Sequence, residues 1–347
     1  MTATLKVIVA GAGVLGATSA LALAKAGARV VLTDPAQLGD NASGVAAGML
    51  APVFEAALDP SARPHFDLLL AARDLWPQLA LETGVVLDRA GALAVGTGER
   101  LDRLEAALAE LGVTPERLSA QAAEARAPGV CMPQAGALFT GEDWRIDPDQ
   151  ALGALLKAAR EAGVEMRRAP LQLGEACDWR LLATGADPAP GGLAPELVRL
   201  EPIKGHILRA AGVSYQGAVV RGEGVYLTPG DGGLVIGASM ERGAHDRAVD
   251  PGQVERLSQA GQALFPALEG AELSAAVGVR AASADGLPLV GFSRTAGVLM
   301  AAGARRNGWL LAPLVARIVT ALVFGTDPGP FAARMGSARF EPGGGAY

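Results

Sequence analysis

The stretch LKVIVAGAGVLG (residues 5–16) decides the fold. Its apolar first half, residues 5–10, predicts a buried strand, and the helical spacing that resumes after the glycines predicts a helix to about Ala26. Gly27 ends that helix, and ARVVLTD (28–34) predicts a second strand. A strand, a helix and a second strand within about 30 residues form a βαβ unit with parallel strands. The sequence therefore predicts an α/β fold with a Rossmann-like nucleotide-binding domain.

The glycines of this stretch form the motif G-x-G-x-x-G between the strand and the helix. Gly11 allows a tight turn, Gly13 lets the backbone approach a pyrophosphate, and Gly16 lets the helix pack closely on the strand. Asp34 ends the second strand and can accept a hydrogen bond from a ribose 2′-OH, while its charge disfavours a 2′-phosphate. The motif predicts a dinucleotide site but does not choose between NAD and FAD.

The segment NASGVAAGMLAP (41–52) has small side chains and no charge. Asn41 and Ser43 can form local hydrogen bonds, and the small residues 46–48 let backbone N–H groups reach a pyrophosphate or the edge of a ring. Met49 can lie against a ring as a soft apolar surface. These residues are consistent with a packing surface for a flat cofactor, and from them alone a flexible linker is an equally good interpretation.

Composition excludes several classes of protein. The chain has 347 residues, 50% of them hydrophobic, which suggests two domains. The net charge of −6 disfavours nucleic acid and anionic membranes as partners. Cys131 and Cys177 form no disulfide framework and the three histidines are scattered, so we expect no metal site and a cytoplasmic location. The uncharged run Val7–Ala24 is explained by strand, turn and helix, so no integral membrane segment is predicted.

Later segments predict two domains that interleave along the chain. Residues 84–95 suggest a hairpin, residues 146–168 a second helix-rich α/β segment, and residues 202–240 antiparallel strands. We therefore predict a nucleotide-binding domain, an α+β substrate domain with an antiparallel sheet, and a disordered tail. The nucleotide-binding domain is predicted to comprise residues 1–64, 140–198 and 275–340. The substrate domain is predicted at residues 65–139 and 199–274, and the tail at 341–347.

Four blocks in order along the chain resemble the D-amino-acid-oxidase superfamily of FAD amine oxidoreductases, nearest to its glycine oxidase branch. They are VIVAGAGVLG (7–16), ASGVAAGMLAP (42–52), GVRAASADGLPLVG (278–291) and AAGARRNGWLLAP (301–313). The resemblance implies a Rossmann-like FAD domain interleaved with a substrate domain whose antiparallel sheet covers the flavin. It implies oxidative deamination of glycine, a small (D-)amino acid or a secondary amine by hydride transfer to flavin N5. The products would be an imine, as in thiamine thiazole synthesis, and hydrogen peroxide from oxygen.

The resemblance, together with the glycine motif, gives a predicted FAD site. Leu171 would hold the adenine through its backbone, and the N-terminus of a helix starting near Leu310 would face the flavin. No cysteine stands where related enzymes attach the flavin, so FAD is predicted to be non-covalent. The predicted cofactor-binding residues are Gly11, Gly13, Val14, Leu15, Gly16, Asp34, Ala42, Ser43, Ala46, Ala47, Gly48, Met49, Leu171, Thr184, Gly185, Gly303, Ala304, Arg305, Arg306, Asn307, Gly308, Trp309 and Leu310.

Four residues are predicted at the substrate side. Arg280 resembles the carboxylate-binding arginine of the family, because a guanidinium offers a planar fork to a carboxylate. Arg306 aligns with a second substrate-site arginine, Tyr226 with a tyrosine that contacts the bound acid, and Met240 with an apolar lid. From the residues alone, a surface arginine, a packing aromatic and a core methionine are the competing interpretations. His206 is interpreted as a solvated histidine at a strand end.

The sequence leaves alternatives open and departs from the family in one block. Ala304 stands where the family commonly has a histidine, and the neighbouring Arg305 adds a positive charge near the flavin. One alternative is an FAD dehydrogenase of proline, sarcosine or a D-amino acid that passes electrons to a quinone or a protein. Others are a non-catalytic flavin-binding subunit and a plain NAD dehydrogenase. Whether the chain forms a homo-oligomer is also open.

Overall fold

The computed structural model describes residues 4–37, 39–230 and 232–341, so the predicted disordered tail lies outside the described residues from position 342 onward. Within these ranges the chain forms seventeen strands: β1 (Lys6–Ala10), β2 (Arg29–Thr33), β3 (Met49–Leu50), β4 (Ala92–Val95), β5 (Glu116–Leu118), β6 (Ala137–Thr140), β7 (Trp144–Arg145), β8 (Glu165–Arg167), β9 (Trp179–Leu182), β10 (Glu201–Ala211), β11 (Val219–Arg221), β12 (Tyr226–Gly230), β13 (Gly233–Gly237), β14 (Glu241–Arg242), β15 (Leu273–Ala282), β16 (Leu289–Phe292) and β17 (Val298–Ala302).

Eleven α-helices connect these strands in the described ranges. They are α1 (Val14–Lys25), α2 (Ala42–Val45), α3 (Pro52–Leu58), α4 (Phe66–Asp74), α5 (Trp76–Thr83), α6 (Gly98–Glu110), α7 (Ala120–Arg126), α8 (Pro148–Glu161), α9 (Pro251–Leu264), α10 (Gly308–Phe324) and α11 (Ala332–Met335). In the part of the chain that the structure describes, none of the helices has the length and apolarity that crossing a membrane requires. The uncharged run Val7–Ala24 is strand β1, a turn and helix α1, as predicted.

The first sheet is the predicted nucleotide-binding sheet. Its strand order is β16-β17-β9-β1-β2-β8, and every pair is parallel except β16 with β17. At the centre, Val9 of β1 pairs with Leu32 on one side and Leu181 on the other. These strands are buried on both sides, and helices α1, α8 and α10 share a hydrophobic core with them. This confirms the predicted Rossmann-like α/β class.

The glycine turn after β1 has no room for larger residues. Gly11 has a φ of +106°, which L side chains rarely adopt, and a Cβ there would collide with the carbonyl oxygen of Ala183. A Cβ on Gly16 would collide with the carbonyl oxygen of Gly11. The helix can therefore lie directly against the strand, which is the close approach that the motif predicts.

The second sheet is largely antiparallel and has nine strands in the described ranges. Its order is β14-β10-β13-β12-β11-β4-β6-β5, and β15 also pairs with β10. Arg221 of β11 pairs with Tyr226 of β12, Tyr226 with Gly237 of β13, and Gly237 with Ile207 of β10. Directly paired residues share a face of a sheet, so this row of four lies on one face. The row positions the candidate site described below.

Two predictions need correction against these elements. The hairpin predicted for residues 84–95 is wrong, because only β4 forms there and Asp88 instead forms a bridge with Arg145. A long-range partner thus replaces the local one. The domain limits stay a prediction, but β15 pairs with β10 over ten residues in the second sheet. We therefore propose moving the predicted limit at 275 to a point after Ala282.

Candidate functional site

A cavity of about 480 Å³ lies among α1, the α2–β3 segment, the second sheet and the start of α10. Predicted cofactor and substrate residues from four separate parts of the chain line it together. These are Val14, Ala42, Ser43, Ala46, Ala47, Gly48, Met49, Tyr226, Met240, Arg280, Arg305, Arg306, Asn307, Gly308 and Trp309. The structure therefore brings the small-residue segment and the predicted substrate arginines to one place.

The small-residue segment is folded and forms one wall of the cavity. The Asn41 side chain accepts hydrogen bonds from the backbone N–H groups of Ser43 and Gly44 and begins α2. The Ser43 hydroxyl accepts a hydrogen bond from the Val14 N–H at 3.0 Å, which ties this wall to the glycine turn. Gly48 has a φ of +73°, and a Cβ there would collide with the Ile146 carbonyl oxygen. The segment is thus a fixed wall of small residues.

Arg280 reaches the cavity from β15 and is half-buried. Its guanidinium donates a hydrogen bond to the Ser239 carbonyl oxygen at 2.9 Å. Opposite, a Cβ on Gly205 would collide with the guanidinium, so only glycine leaves that space free. Burial lowers the pKa of Arg280. Among the described residues, the guanidinium makes this one hydrogen bond, so its other donors are available to a carboxylate in the cavity.

Tyr226 is half-buried on the same sheet face as Arg280. A Cβ on Gly237 would collide with the phenol, so this glycine leaves room for the ring. Burial raises the pKa of Tyr226 and outweighs the opposite effect of nearby arginines, Arg280 first among them. The phenol is therefore neutral at ordinary pH and can donate a hydrogen bond to an acid in the cavity.

Arg306 and Arg305 line the cavity but are held by two buried acids of the segment 55–59. Arg306 Nε donates to Glu55 at 2.8 Å and its terminal nitrogen to Asp59 at 2.8 Å. Arg305 contacts Asp59 and donates to the Ser61 hydroxyl at 2.9 Å. Burial opposes the charged form of Arg306, yet the two carboxylates raise its pKa. The extra positive charge of Arg305 is thus matched by Asp59.

Comparison with known proteins agrees with this geometry. The family described as FAD dependent oxidoreductase matches residues 6–322 of the chain. The chain belongs to this family. This family membership confirms the predicted resemblance and the prediction of FAD as the cofactor. The chain is therefore an FAD-dependent amine or amino-acid oxidoreductase and not an NAD dehydrogenase.

Individual relatives span nearly the whole chain. Glycine oxidase of Geobacillus kaustophilus is 31% identical over 360 aligned residues, which cover 93% of this chain and 94% of that protein. The crystal structure of glycine oxidase from the same organism superposes with a TM-score of 0.85 at 28% identity and covers 98% of this chain and 100% of that one. An oxidoreductase assigned to thiamine biosynthesis, ThiO of Rhizobium etli, is 31% identical over 326 residues, or 90% of this chain and 94% of that protein.

The described residues fit the cofactor of the family. Gly13 has no side chain to cap α1, whose Val14 N–H donates to Ser43, and α10 begins at Gly308 on the cavity. Both helix N-termini therefore offer a favourable dipole for negative charge. The wall at residues 46–48 has no bulky side chain that would fill the space of a ring. Neither Cys131 nor Cys177 lines the cavity. Non-covalent binding stays a prediction.

The remaining residues of the predicted FAD site lie outside the cavity lining. Asp34 accepts hydrogen bonds from the N–H groups of Ala12 at 2.7 Å and Ala36 at 2.9 Å, beside the glycine turn. Leu171 is buried in a core cluster with Ile8 of β1. The structure places the others in or next to the first sheet, its glycine turn and the start of α10. They are Gly11, Gly13, Leu15, Gly16, Thr184, Gly185, Gly303, Ala304 and Leu310. Their contacts with FAD stay predictions.

The interpretation of His206 as a solvated histidine is wrong. Its side chain is fully buried on β10, and Nε2 accepts a hydrogen bond from the Asp250 N–H at 2.9 Å. Nδ1 lies 3.0 Å from the Ser239 hydroxyl and 3.0 Å from a Glu241 oxygen. His206 therefore helps to position Ser239, and the carbonyl oxygen of Ser239 accepts the hydrogen bond from Arg280.

Sequence reasoning missed Glu55, Asp59, Arg221 and Gly205. Glu55 and Asp59 stand four residues apart in the apolar run PVFEAALDP, a spacing that places two acids on one side of a helix. That pattern could have predicted a buried pair that needs cations. Arg221 follows three small or apolar residues in AVVR, which also marks a charge that faces inward. No sequence pattern predicted a role for Gly205, because Arg280, which it contacts in space, is distant from it in sequence.

Proposed function

We propose that this oxidoreductase deaminates glycine, a small (D-)amino acid or a secondary amine oxidatively. The observation that carries the proposal is Arg280, a half-buried guanidinium with free donors in the cavity that the small-residue wall also lines. The whole-length likeness to glycine oxidases supports it. Bound FAD would accept the two electrons that leave the substrate when its amine becomes an imine.

The residues of the chain hold and orient the substrate. Arg280 binds the carboxylate through two parallel N–H···O bonds, and Tyr226 donates a third hydrogen bond from its neutral phenol. Among the described residues that line the cavity there is no histidine, so the chain supplies no imidazole base there. Hydride loss from the substrate carbon requires the lone pair of a neutral amine, so activity is expected to rise with pH towards the pKa of the bound amine.

The electron acceptor and the pathway are further parts of the proposal. Oxygen would take up the electrons and give hydrogen peroxide, and the imine would serve thiamine thiazole synthesis or hydrolyse to a carbonyl acid and ammonia. The likeness to ThiO supports the pathway. A cytoplasmic location stays a prediction.

Anaerobic reduction of the holoprotein tests the proposal. The purified protein is mixed with glycine, sarcosine, D-alanine and D-proline, and loss of the yellow flavin absorbance is followed. At least one of the four is expected to bleach the flavin, with peroxide formed when air is admitted. No bleaching by any of them would refute the proposed function, and reduction without peroxide would assign a different electron acceptor.

The variant Arg280→Gln tests the carboxylate site. It is expected to keep its FAD while kcat/KM for the best amine falls by about 100-fold or more, because the substrate carboxylate loses its paired charge. Arg103→Gln, whose side chain is 74% exposed on α6, removes one positive charge elsewhere and serves as the control. Equal kcat/KM in the wild type and Arg280→Gln would show that Arg280 does not bind the substrate.

A further inference from the structure

Arg221 is a cavity residue that the proposed reaction does not use. It ends β11, and its side chain is only 10% exposed. Its Nε is buried without a hydrogen-bond partner in the described part of the chain, and its nearest carboxylate oxygen, on Glu55, lies 3.9 Å from a terminal nitrogen. That separation is too long for a hydrogen bond. A buried guanidinium without hydrogen-bonded partners costs free energy unless a ligand supplies them.

Arg221 has two carboxylates near it, those of Glu55 and the buried Asp143, but in the described part of the chain neither is hydrogen-bonded to it. Asp143 accepts instead from the N–H groups of Val53 and Phe54. Glu55 on α3 accepts a hydrogen bond from Arg306. Asp59, the residue after α3, accepts hydrogen bonds from Arg306 and Arg305. Arg280 donates to a neutral carbonyl oxygen. Arg256 also lines the cavity but is exposed on α9 and bonded to Gln253. Among the described residues, no carboxylate is therefore hydrogen-bonded to the buried Arg221 or to the half-buried Arg280.

These two arginines lie on either side of Tyr226. Arg221 pairs with Tyr226 across the sheet, whereas Arg280 lies on β15, beyond β13 and β10, on the same sheet face. Both charges act on the Tyr226 phenol and lower its pKa against the larger effect of burial. A molecule held by Arg280 and long enough to pass Tyr226 would therefore meet Arg221.

We propose that Arg221 forms a second carboxylate subsite, so that the substrates of this chain are amines or amino acids with two carboxylates. The proposal rests on the proposed function and specifies its substrate class. A diacid would give each unpaired guanidinium a carboxylate, and glycine would leave Arg221 buried and unpaired. The competing account is that Arg221 only offsets the charges of Glu55 and the buried Asp143, in which case a second carboxylate on the ligand brings no gain.

Binding of simple acids to the FAD-loaded protein tests the subsite without any turnover. Malonate, succinate and glutarate are titrated against propionate, butyrate and pentanoate, with the perturbation of the visible flavin spectrum as the measurement. At least one diacid is expected to bind at least 10-fold more tightly than the monoacid of equal chain length, since a charge-assisted fork is added. Equal affinities in the wild type would by themselves overturn the proposal.

Variants connect the difference to Arg221. In Arg221→Gln the preference for the diacid is expected to disappear, while the monoacids bind as in the wild type, and Arg103→Gln should keep the full preference. A preference that survives in Arg221→Gln would overturn the proposal. Should that variant fail to retain FAD, Arg221→Met removes the charge at a similar side-chain length, and a preference that survives there would overturn the proposal in the same way.

Turnover then separates this proposal from the function on which it rests. D-aspartate, D-glutamate and iminodiacetate are expected to reduce the flavin with a kcat/KM at least 10-fold above that of glycine, and Arg221→Gln should remove the advantage mainly through KM. If no amine reduces the flavin, the proposed function fails, while the acid titrations still decide the subsite. If glycine is the better substrate and the diacids show no preference, only the second subsite is wrong.

Discussion

At the level of single residues, two arginines of one cavity have different roles because their hydrogen-bond partners differ. Arg280 and Arg306 line one cavity and both resemble substrate-site arginines. Arg306 gives its donors to Glu55, Asp59 and the Met240 sulfur, whereas Arg280 gives one to a backbone carbonyl oxygen and keeps the others free. The free energy that a ligand carboxylate gains is therefore larger at Arg280, since no protein anion has to be displaced there.

Gly205→Ala should impair the substrate site without unfolding the protein. The added Cβ would collide with the tip of the flexible Arg280 side chain and stand 2.9 Å from the Ser239 carbonyl oxygen, so the guanidinium has to move. We expect KM for the amine substrate to rise by about 10-fold or more, because a small misplacement of a binding group is costly. The melting temperature and FAD content serve as controls. An unchanged KM would show that the position of Arg280 tolerates the shift.

At the level of elements, the glycine turn and helix α3 each depend on a close contact. The turn between β1 and α1 requires Gly11 to approach Ala183 at the end of β9. Helix α3 starts at a buried carboxylate, since Asp143 accepts hydrogen bonds from the N–H groups of Val53 at 2.8 Å and Phe54 at 3.0 Å. Both contacts join segments that are far apart in sequence.

Gly11→Ala and Gly27→Ala form a matched pair for the turn. Both residues have positive φ angles, +106° and +99°, but only the Cβ at position 11 collides with a neighbour. Gly27→Ala should destabilise the protein by about 1 kcal/mol. Gly11→Ala should cost at least about 1 kcal/mol more and weaken FAD binding, because the strand end has to move. Urea unfolding and FAD titration measure both effects, and equal losses in the two variants would contradict the role of the close contact.

Asp143→Asn should remove a pH dependence of stability. Burial raises the pKa of Asp143 to about 6, so the folded state binds the proton more tightly than the unfolded state. The stability from this group is complete below the ordinary pKa of 3.8 and is lost as the pH rises through 6. The wild type should therefore lose up to about 3 kcal/mol relative to Asp143→Asn between pH 4 and 7. Urea unfolding across that range is the measurement, and a constant difference would contradict it.

At the level of the whole molecule, the cavity exists only because two sheets are joined. Its lining includes the start of α1 and α10 on the first sheet, and residues of β10, β11, β12, β13 and β15 on the second. The chain passes between the sheets several times, so residues more than 200 positions apart come into hydrogen-bond contact, as Arg306 and Glu55 do. Cofactor binding should therefore stabilise both sheets together.

Removal of FAD should loosen the cavity walls selectively. At an FAD concentration 100 times its Kd, the bound cofactor stabilises the folded protein by about 2.7 kcal/mol, which raises the melting temperature by several degrees. Hydrogen exchange should show added protection in residues 42–51 and 305–309, with α6 as the internal control. Equal protection across all three segments, or none in the first two, would place the cofactor elsewhere.

Much of the fold and part of the site could be predicted from local patterns. The strand, glycine turn and helix at residues 5–26 are a local arrangement, so the βαβ unit and its parallel sheet followed from the sequence. The resemblance predicted that Arg280, Tyr226 and residues 46–48 belong to one site. In the structure all of them line one cavity. The hairpin at 84–95 failed because Asp88 has a stronger partner in the distant Arg145, with which it also forms an ion pair.

By itself, the sequence determined the βαβ unit and its parallel strands, because these depend on steric rules within about 30 residues. That residues 46–48 form a wall and not a linker depended on the distant Ile146, against which Gly48 packs. Only the tertiary structure decided which arginine stays free, which acids neutralise its neighbours and that His206 is buried. Those outcomes depend on which charges meet in a low-dielectric space, and charge pairing acts between segments whose separation along the chain carries no local pattern.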